Sequence, residues 1–158
     1  MKKHLYFPFT VCCILFTAML GGCGATGSVS PQQRVEQFIT STVAAFNDRN
    51  LNNETRQEEL ATQLASYFVP ESQATQKVAI KDSLARMAQT GAIVKLEQLN
   101  LTTLNQTGTT ANVQLNTGWL DLNVGQSNTQ IDLKQSGIVS SGDTAKLRNI
   151  DGIWYIEP

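Results

Sequence analysis

Between Thr90 and Ile93 the apolar residues of this chain stop recurring every three to four positions and begin to alternate. A side chain returns to the same face of a helix after about 3.6 residues and to the same face of a strand after two. A change of period is therefore a change of secondary structure, and here it happens once. Helices confined to one half and strands to the other exclude alternating βα units. They predict an α+β fold, with N-terminal helices packed on a curved antiparallel sheet in a cone-like arrangement.

In the helical half, Ser30-Pro31 reads as an N-cap followed by proline in the first turn. Val35, Phe38, Ile39, Thr42, Val43 and Phe46 then recur at helical spacing, which predicts a helix over about 31–48. Thr55-x-x-Glu58 has the capping-box form and opens a second, shorter helix through Leu60, Leu64 and Phe68 that Pro70 ends. A third helix is expected over about 72–90, with Ile80, Leu84, Met87 and Ala88 as its stripe and Gly91 at C′.

In the strand half, residues 93–104 form the first expected strand, and a change of phase between Leu96 and Leu99 signals a bulge. Ala111, Val113, Leu115, Thr117 and Trp119 alternate with polar partners. The apolar phase then slips to Leu120, Leu122 and Val124 beside Gly118, a second expected bulge or bend. A third strand is expected over 129–139 and a fourth over 145–150. Asp151-Gly152 joins the fourth to Ile153-Trp154-Tyr155-Ile156 as a hairpin, giving a meander of long bent strands.

Ahead of the helices, Met1-Lys2-Lys3-His4 supplies a basic start, and an apolar run from Leu5 to Leu20 follows. That is the layout of a secretory signal. At about 16 residues the run falls short of the roughly 20 that a membrane-spanning helix takes. Leu20-Gly21-Gly22-Cys23 resembles the lipobox of bacterial lipoproteins. The resemblance implies that residues 1–22 are removed and that Cys23 carries a diacylglyceryl group. Two acyl chains hold a membrane stably where one does so only marginally. The expected organisation is a signal peptide at 1–22, a lipidated N-terminus and short tether at 23–30, and one domain at 31–158. The tether, 24–29, spans about 20 Å when fully extended. The protein is thus expected to be lipid-anchored on the extracytoplasmic face of the cell membrane or the outer membrane. In a cell with two membranes, Gly24 after the cysteine implies the outer one.

Cleavage there would also strip the chain of most catalytic chemistry. Cys12, Cys13 and the sole histidine, His4, all precede the cut, as do Lys2 and Lys3 but no acidic residue. The mature 136 residues would keep one cysteine, already acylated, and their formal charge would move from −1 to −3. An internal disulfide, a Ser-His-Asp triad, a Cys-His dyad and any Cys/His zinc site are excluded in such a chain. No metal and no cofactor is expected. The charge is too low and too scattered for nucleic acid, whose phosphates demand a clustered Lys/Arg face.

The helical pattern ending in Phe46-Asn47-Asp48 and the Ser66-Tyr67-Phe68-Val69-Pro70 segment carry a further resemblance. Its third element is the closing run Leu147-Arg148-Asn149-Ile150-Asp151-Gly152-Ile153-Trp154-Tyr155-Ile156. Together they resemble the nuclear transport factor 2-like superfamily, whose final hairpin commonly reads Leu-x-Arg-x-Asp-Gly-x-Trp-x-Ile; here one residue is inserted before Asp151. The resemblance spans roughly 31–158 and implies a curved sheet wrapped around helices with a cavity between. The superfamily includes ketosteroid isomerases, dehydratases and polyketide cyclases beside members that only bind or brace, so fold does not fix function.

Three functions follow as expectations. A small-ligand-binding module would line an apolar cavity with Phe38, Phe46, Leu64, Leu84, Val113, Leu115 and Trp119, which would otherwise fill the core. A protein-interaction module would meet an envelope protein or a second copy through the polar strand face of Thr102, Gln114, Asn116 and Gln130. An isomerase- or cyclase-type enzyme would need a buried carboxylate of raised pKa, for which Asp121 is the candidate base and Tyr67 the candidate donor. Plainer roles for these two are a solvent-facing strand residue and packing at a helix end. A non-catalytic binding or interaction module is preferred, because no isomerase or cyclase motif matches residue by residue. Mass spectrometry of the protein taken from its native membrane is expected to find a chain starting at an acylated Cys23; an unmodified chain starting at Met1 would overturn the lipoprotein assignment.

Overall fold

The computed structural model describes residues 29–138 and 143–158. The expected signal peptide, Cys23 and the tether up to residue 28 lie outside the described residues. Helix α1 (Pro31–Phe46) starts where Ser30-Pro31 predicts. Ser30 Oγ accepts from the Gln33 backbone N–H, and Gln33 Oε1 accepts from that of Ser30, so two donors without helical partners satisfy each other's residues. Helix α2 (Glu54–Ala65) begins two residues earlier than Thr55-x-x-Glu58 suggested, because Asn53 is the cap: its Oδ1 accepts from the Arg56 N–H. Glu58 does not fold back to a cap, since Lys77 and Lys81 hold its carboxylate. Those lysines belong to α3 (Gln73–Thr90), which follows a 3-10 turn at Pro70–Ser72 and ends at Gly91 with φ 61°.

Five antiparallel strands follow: β1 (Ile93–Gln106), β2 (Thr110–Val124), β3 (Ser127–Asp132), β4 (Thr144–Ile150) and β5 (Ile153–Glu157). They do not form the simple meander expected. One edge of β2 pairs with β1 along its length, while the other is shared, residues 110–114 with β4 and 119–124 with β3. The third strand stops at Asp132 rather than running to residue 139. Asp132 Oδ1 accepts from the Lys134 N–H and opens a 3-10 turn, Leu133–Gln135, that drives Leu133 into the core. The spatial order is therefore β1-β2-β4-β5, with β3 beside the far half of β2.

Both expected irregularities are present. The β1–β2 register jumps between Glu97 and Asn100, and Gln98 adopts φ 53°, placing the extra residue in β1. On β2, Ala111, Val113 and Leu115 face inward, and the inward set then becomes Gly118, Leu120 and Leu122. Bulges bend a strand and strengthen its twist, and the sheet curls into a half-barrel around the helices. Asp151 and Gly152 both take positive φ, 52° and 86°, as the tight turn between β4 and β5 requires. Ile39, Leu64, Leu84, Leu115, Leu133 and Leu147 are almost entirely shielded from solvent and form the centre of the core.

Gly118 has a steric reason to be glycine. A Cβ there would lie 2.4 Å from Leu133 Cδ1 and 3.3 Å from Leu115 Cδ1, both on fully buried side chains. Gly118→Ala is expected to cost about 1–3 kcal/mol of stability through overpacking. In a Leu133→Ala background the same change should cost clearly less, because the clashing methyl is gone. Denaturant titration of the two single variants and the double variant measures this coupling, and additive costs would contradict it.

Candidate functional site

The curled sheet and α3 do not close on one another. A cleft of about 380 Å³ opens between them, within the size range of small-molecule sites. Its floor is Phe38, Thr42 and Phe46 of α1, with Leu64 and Phe68 from the α2 region. One wall is the inner sheet face, Leu120, Leu122 and Ile131, continued by Ser136 to Ile138 after the 3-10 turn. The other wall is α3, whose contributing residues fall into two rows by helical spacing. Ile80 and Met87 lie seven apart in the deeper row and are partly buried, whereas Gln76, Ala79, Ser83, Arg86 and Thr90 form the row at the border. Leu84 is the one fully buried residue of α3, so this helix leans on α2 and leaves its remaining apolar side to the cleft.

Chemically the cleft is sparse. Thr42, the most buried polar lining residue, already donates its hydroxyl to the Phe38 carbonyl at 2.8 Å. Arg86 is the one ionisable residue among the described residues of the lining. Its Nη2 donates to Ser83 Oγ at 3.1 Å, and among the described residues no carboxylate lies within ion-pair distance of it. Among the described residues, no carboxylate, tyrosine or lysine lines the cleft.

Of the residues expected to line a cavity, Phe38, Phe46 and Leu64 do so. Leu84, Val113 and Leu115 do not; each is at most 1% exposed and packed into the closed core. Trp119 is on the wrong face altogether. Because the phase slips before Gly118, Trp119 and Asp121 point outward beside Glu97, Gln98 and Gln130 in a shallow recess of the outer sheet. There Asp121 Oδ1 accepts from Gln130 Nε2 at 3.1 Å, and it contributes nothing to the cleft. The outer face continues as a polar ladder, in which Asn116 Nδ2 donates to Asn100 Oδ1 and Thr102 Oγ1, and Gln114 donates to Asp143.

Tyr67 is likewise away from the cleft. Its hydroxyl is 3.0 Å from Ser41 Oγ, its ring packs 5.6 Å from Phe38, and the Arg34 guanidinium stacks 4.2 Å above it. Arg34 also lies 5.7 Å from the Tyr155 ring and donates through Nη2 to the Ser66 carbonyl. Burial pulls its pKa below the ordinary value, opposed by the two tyrosines. The aromatic faces take the place of a carboxylate partner for this cation. The cluster fastens α1, the end of α2 and β5 together.

The lining residues not anticipated are Thr42, Phe68, Leu120, Leu122, Ile131 and Ser136 to Ile138, together with both rows of α3. Leu120 and Leu122 were within reach, since the slip at Gly118 moves them to the inner face and Trp119 to the outer one. Among the described residues, no group of histidine, cysteine, aspartate or glutamate is placed to hold a metal ion. No helix among them is long and apolar enough to cross a membrane.

No protein-family model and no curated protein matches the chain. A de novo designed β-sheet protein, solved by NMR in solution, is 19% identical, covering 80% of this chain and 85% of that one, with a TM-score of 0.36.

The position of Tyr67 makes a purely structural role testable. Tyr67→Phe removes the Ser41 contact and keeps the ring, and is expected to cost about 1 kcal/mol. Tyr67→Ala removes the Arg34 stack and the Phe38 packing as well and should cost about 2–4 kcal/mol. Chemical denaturation measures both, and equal losses would place the energy in the hydroxyl rather than the ring.

Proposed function

We propose that this chain is a lipid-anchored extracytoplasmic protein with a nuclear transport factor 2-like domain, and that the domain is a non-catalytic module binding a small apolar ligand. The observation that carries the binding reading is the 380 Å³ cleft, lined mainly by apolar side chains and, among the described residues, by no carboxylate, tyrosine or lysine. The basic start, apolar run and Leu20-Gly21-Gly22-Cys23 support the anchor. Three helices on a curled antiparallel sheet and the Asp151-Gly152 closing hairpin are in keeping with the superfamily assignment.

A packed interior would have favoured bracing, and a buried carboxylate would have favoured catalysis. The isomerase-type alternative loses its base, because Asp121 lies on the outer sheet face bonded to Gln130. The interaction reading rests on an outer face laddered by polar hydrogen bonds of Gln114, Asn116 and Gln130, whereas the cleft offers apolar surface directly.

The neutral fluorophore N-phenyl-1-naphthylamine, which brightens in apolar surroundings, is expected to bind saturably with one site per chain. Ala79→Trp, an exposed change on the border row of α3, should fill the cleft mouth and weaken binding at least tenfold while leaving the melting temperature nearly unchanged. Absence of a saturable signal, or binding indifferent to Ala79→Trp, would sink the ligand-binding reading.

A further inference from the structure

The chemistry of the cleft border narrows the ligand, granted the binding reading above. The lining is mainly apolar, and among the described residues its single charge is the Arg86 guanidinium at the solvent border of α3. Among the described residues Arg49, like Arg86, has no ion-pair partner, but it lies outside the cleft; the other three arginines are occupied. Arg56 is paired with Asp48 and Glu59, Arg148 with Glu71 and Glu157, and Arg34 is stacked on Tyr67 and Tyr155. Arg86 has a serine hydroxyl, which takes one of its five N–H donors and none of its charge. Ser83 and Thr90 lie one turn to either side on the same row. The Thr90 hydroxyl donates to the Met87 carbonyl and accepts from the Ala92 N–H, and the Ser83 hydroxyl donates to the Ala79 carbonyl, so the single proton of each is committed and the free charged donors at this border are those of Arg86.

We infer that the cleft binds an amphipathic monocarboxylate, with its apolar body between α3 and the inner sheet face and its carboxylate on Arg86. Charge complementarity sets the sign, since a cationic head would face Arg86 with no lining carboxylate to offset it. The planar guanidinium fork matches a carboxylate in a two-bond arrangement. One cation neutralises a monoanion, whereas a phosphate monoester carries close to two charges at neutral pH. Size sets the body: at ~30 Å³ for each water-sized group, 380 Å³ holds about a dozen. A twelve-carbon chain or a compact ring system of similar volume fits this limit.

The test uses dodecanoate, dodecanol and dodecyl phosphate, each below its aggregation concentration at pH 8, as competitors of N-phenyl-1-naphthylamine and by direct calorimetric titration. Dodecanoate should bind at least fivefold more tightly than dodecanol, and the advantage should shrink as ionic strength rises from 0.05 to 0.5 M. Arg86→Gln should abolish the advantage and leave dodecanol binding unchanged, while Arg86→Lys should restore part of it. Arg86 is exposed and outside the core, so these variants are expected to fold.

Equal binding of dodecanoate and dodecanol, or an advantage that survives Arg86→Gln, would overturn the head-group assignment while leaving the cleft a ligand site. Tighter binding of dodecyl phosphate than of dodecanoate would overturn the carboxylate in favour of a phosphate head. Binding of none of the three, with the fluorophore still displaceable by Ala79→Trp, would overturn the amphiphile alone. Loss of fluorophore binding as well would remove the cleft reading with it.

Discussion

Between Leu115 and Leu120 the long β2 strand exchanges its apolar face for its polar one, and Gly118 permits this because Leu133 occupies the space a side chain there would need. The partner strand absorbs the mismatch at Gln98, where the register jumps. Bent at this point, the sheet carries two inner surfaces. Val113 and Leu115 on the first half close tightly over α1 in the core, and Leu120 and Leu122 on the second half face α3 across a gap. The split also explains the topology. β4 pairs beside residues 110–114 and β3 beside 119–124, so the bend lies between two different neighbours on the same edge.

The helices are tied to this sheet unequally. At the end of α1, the Asn47 side chain imitates a strand, donating through Nδ2 to the Val94 carbonyl at 2.7 Å and accepting at Oδ1 from the Val94 N–H at 2.9 Å. After α2, the Val69 N–H donates to the Ile156 carbonyl and the Ile156 N–H to the Tyr67 carbonyl, with Arg34 stacked over the same corner. Helix α3 has no comparable bond to the strands; Glu58 links it to α2 through Lys77 and Lys81, in exposed ion pairs that contribute little. The element least fastened to the sheet is the one that borders the cleft, and on the proposed binding reading it is the element that would give way to a ligand.

Much of this was legible in the sequence, and the failures have a common origin. The period change at Gly91, the Ser30-Pro31 start, the bulge after Leu96 and the Asp151-Gly152 hairpin are local signals, decided by backbone preferences of a few residues. Asn53 displacing Thr55 as the cap is also local, but its outcome depended on Glu58 being held by lysines twenty or so residues away. The sharing of one β2 edge between β3 and β4 is a long-range pairing that alternation cannot specify. Trp119 is the instructive error. Its aromatic bulk suggested a cavity wall, yet the slip beside Gly118 had already moved the inward phase to even-numbered positions, and parity outweighs residue type. For the same reason Asp121 went outward with it.

The cleft also shows why a cavity alone is a poor guide to activity. A carboxylate becomes a usable base when burial raises its pKa, and each acidic group with a perturbed pKa here is perturbed the other way. Arg56 holds Asp48 below its usual range, Lys77 and Lys81 hold Glu58 there, and Arg148 does so for Glu71. These are surface pairs, fully ionised at neutral pH and remote from the cleft lining. Such a distribution sends the acidic groups to stitch helices and strand ends together and leaves the interior to apolar contact and one cation at its border. On the proposed binding reading, a molecule entering it would gain from burial and from its own charge. On the proposed anchor at Cys23, a tether of about 20 Å keeps that opening close to a membrane surface, where amphiphiles are concentrated.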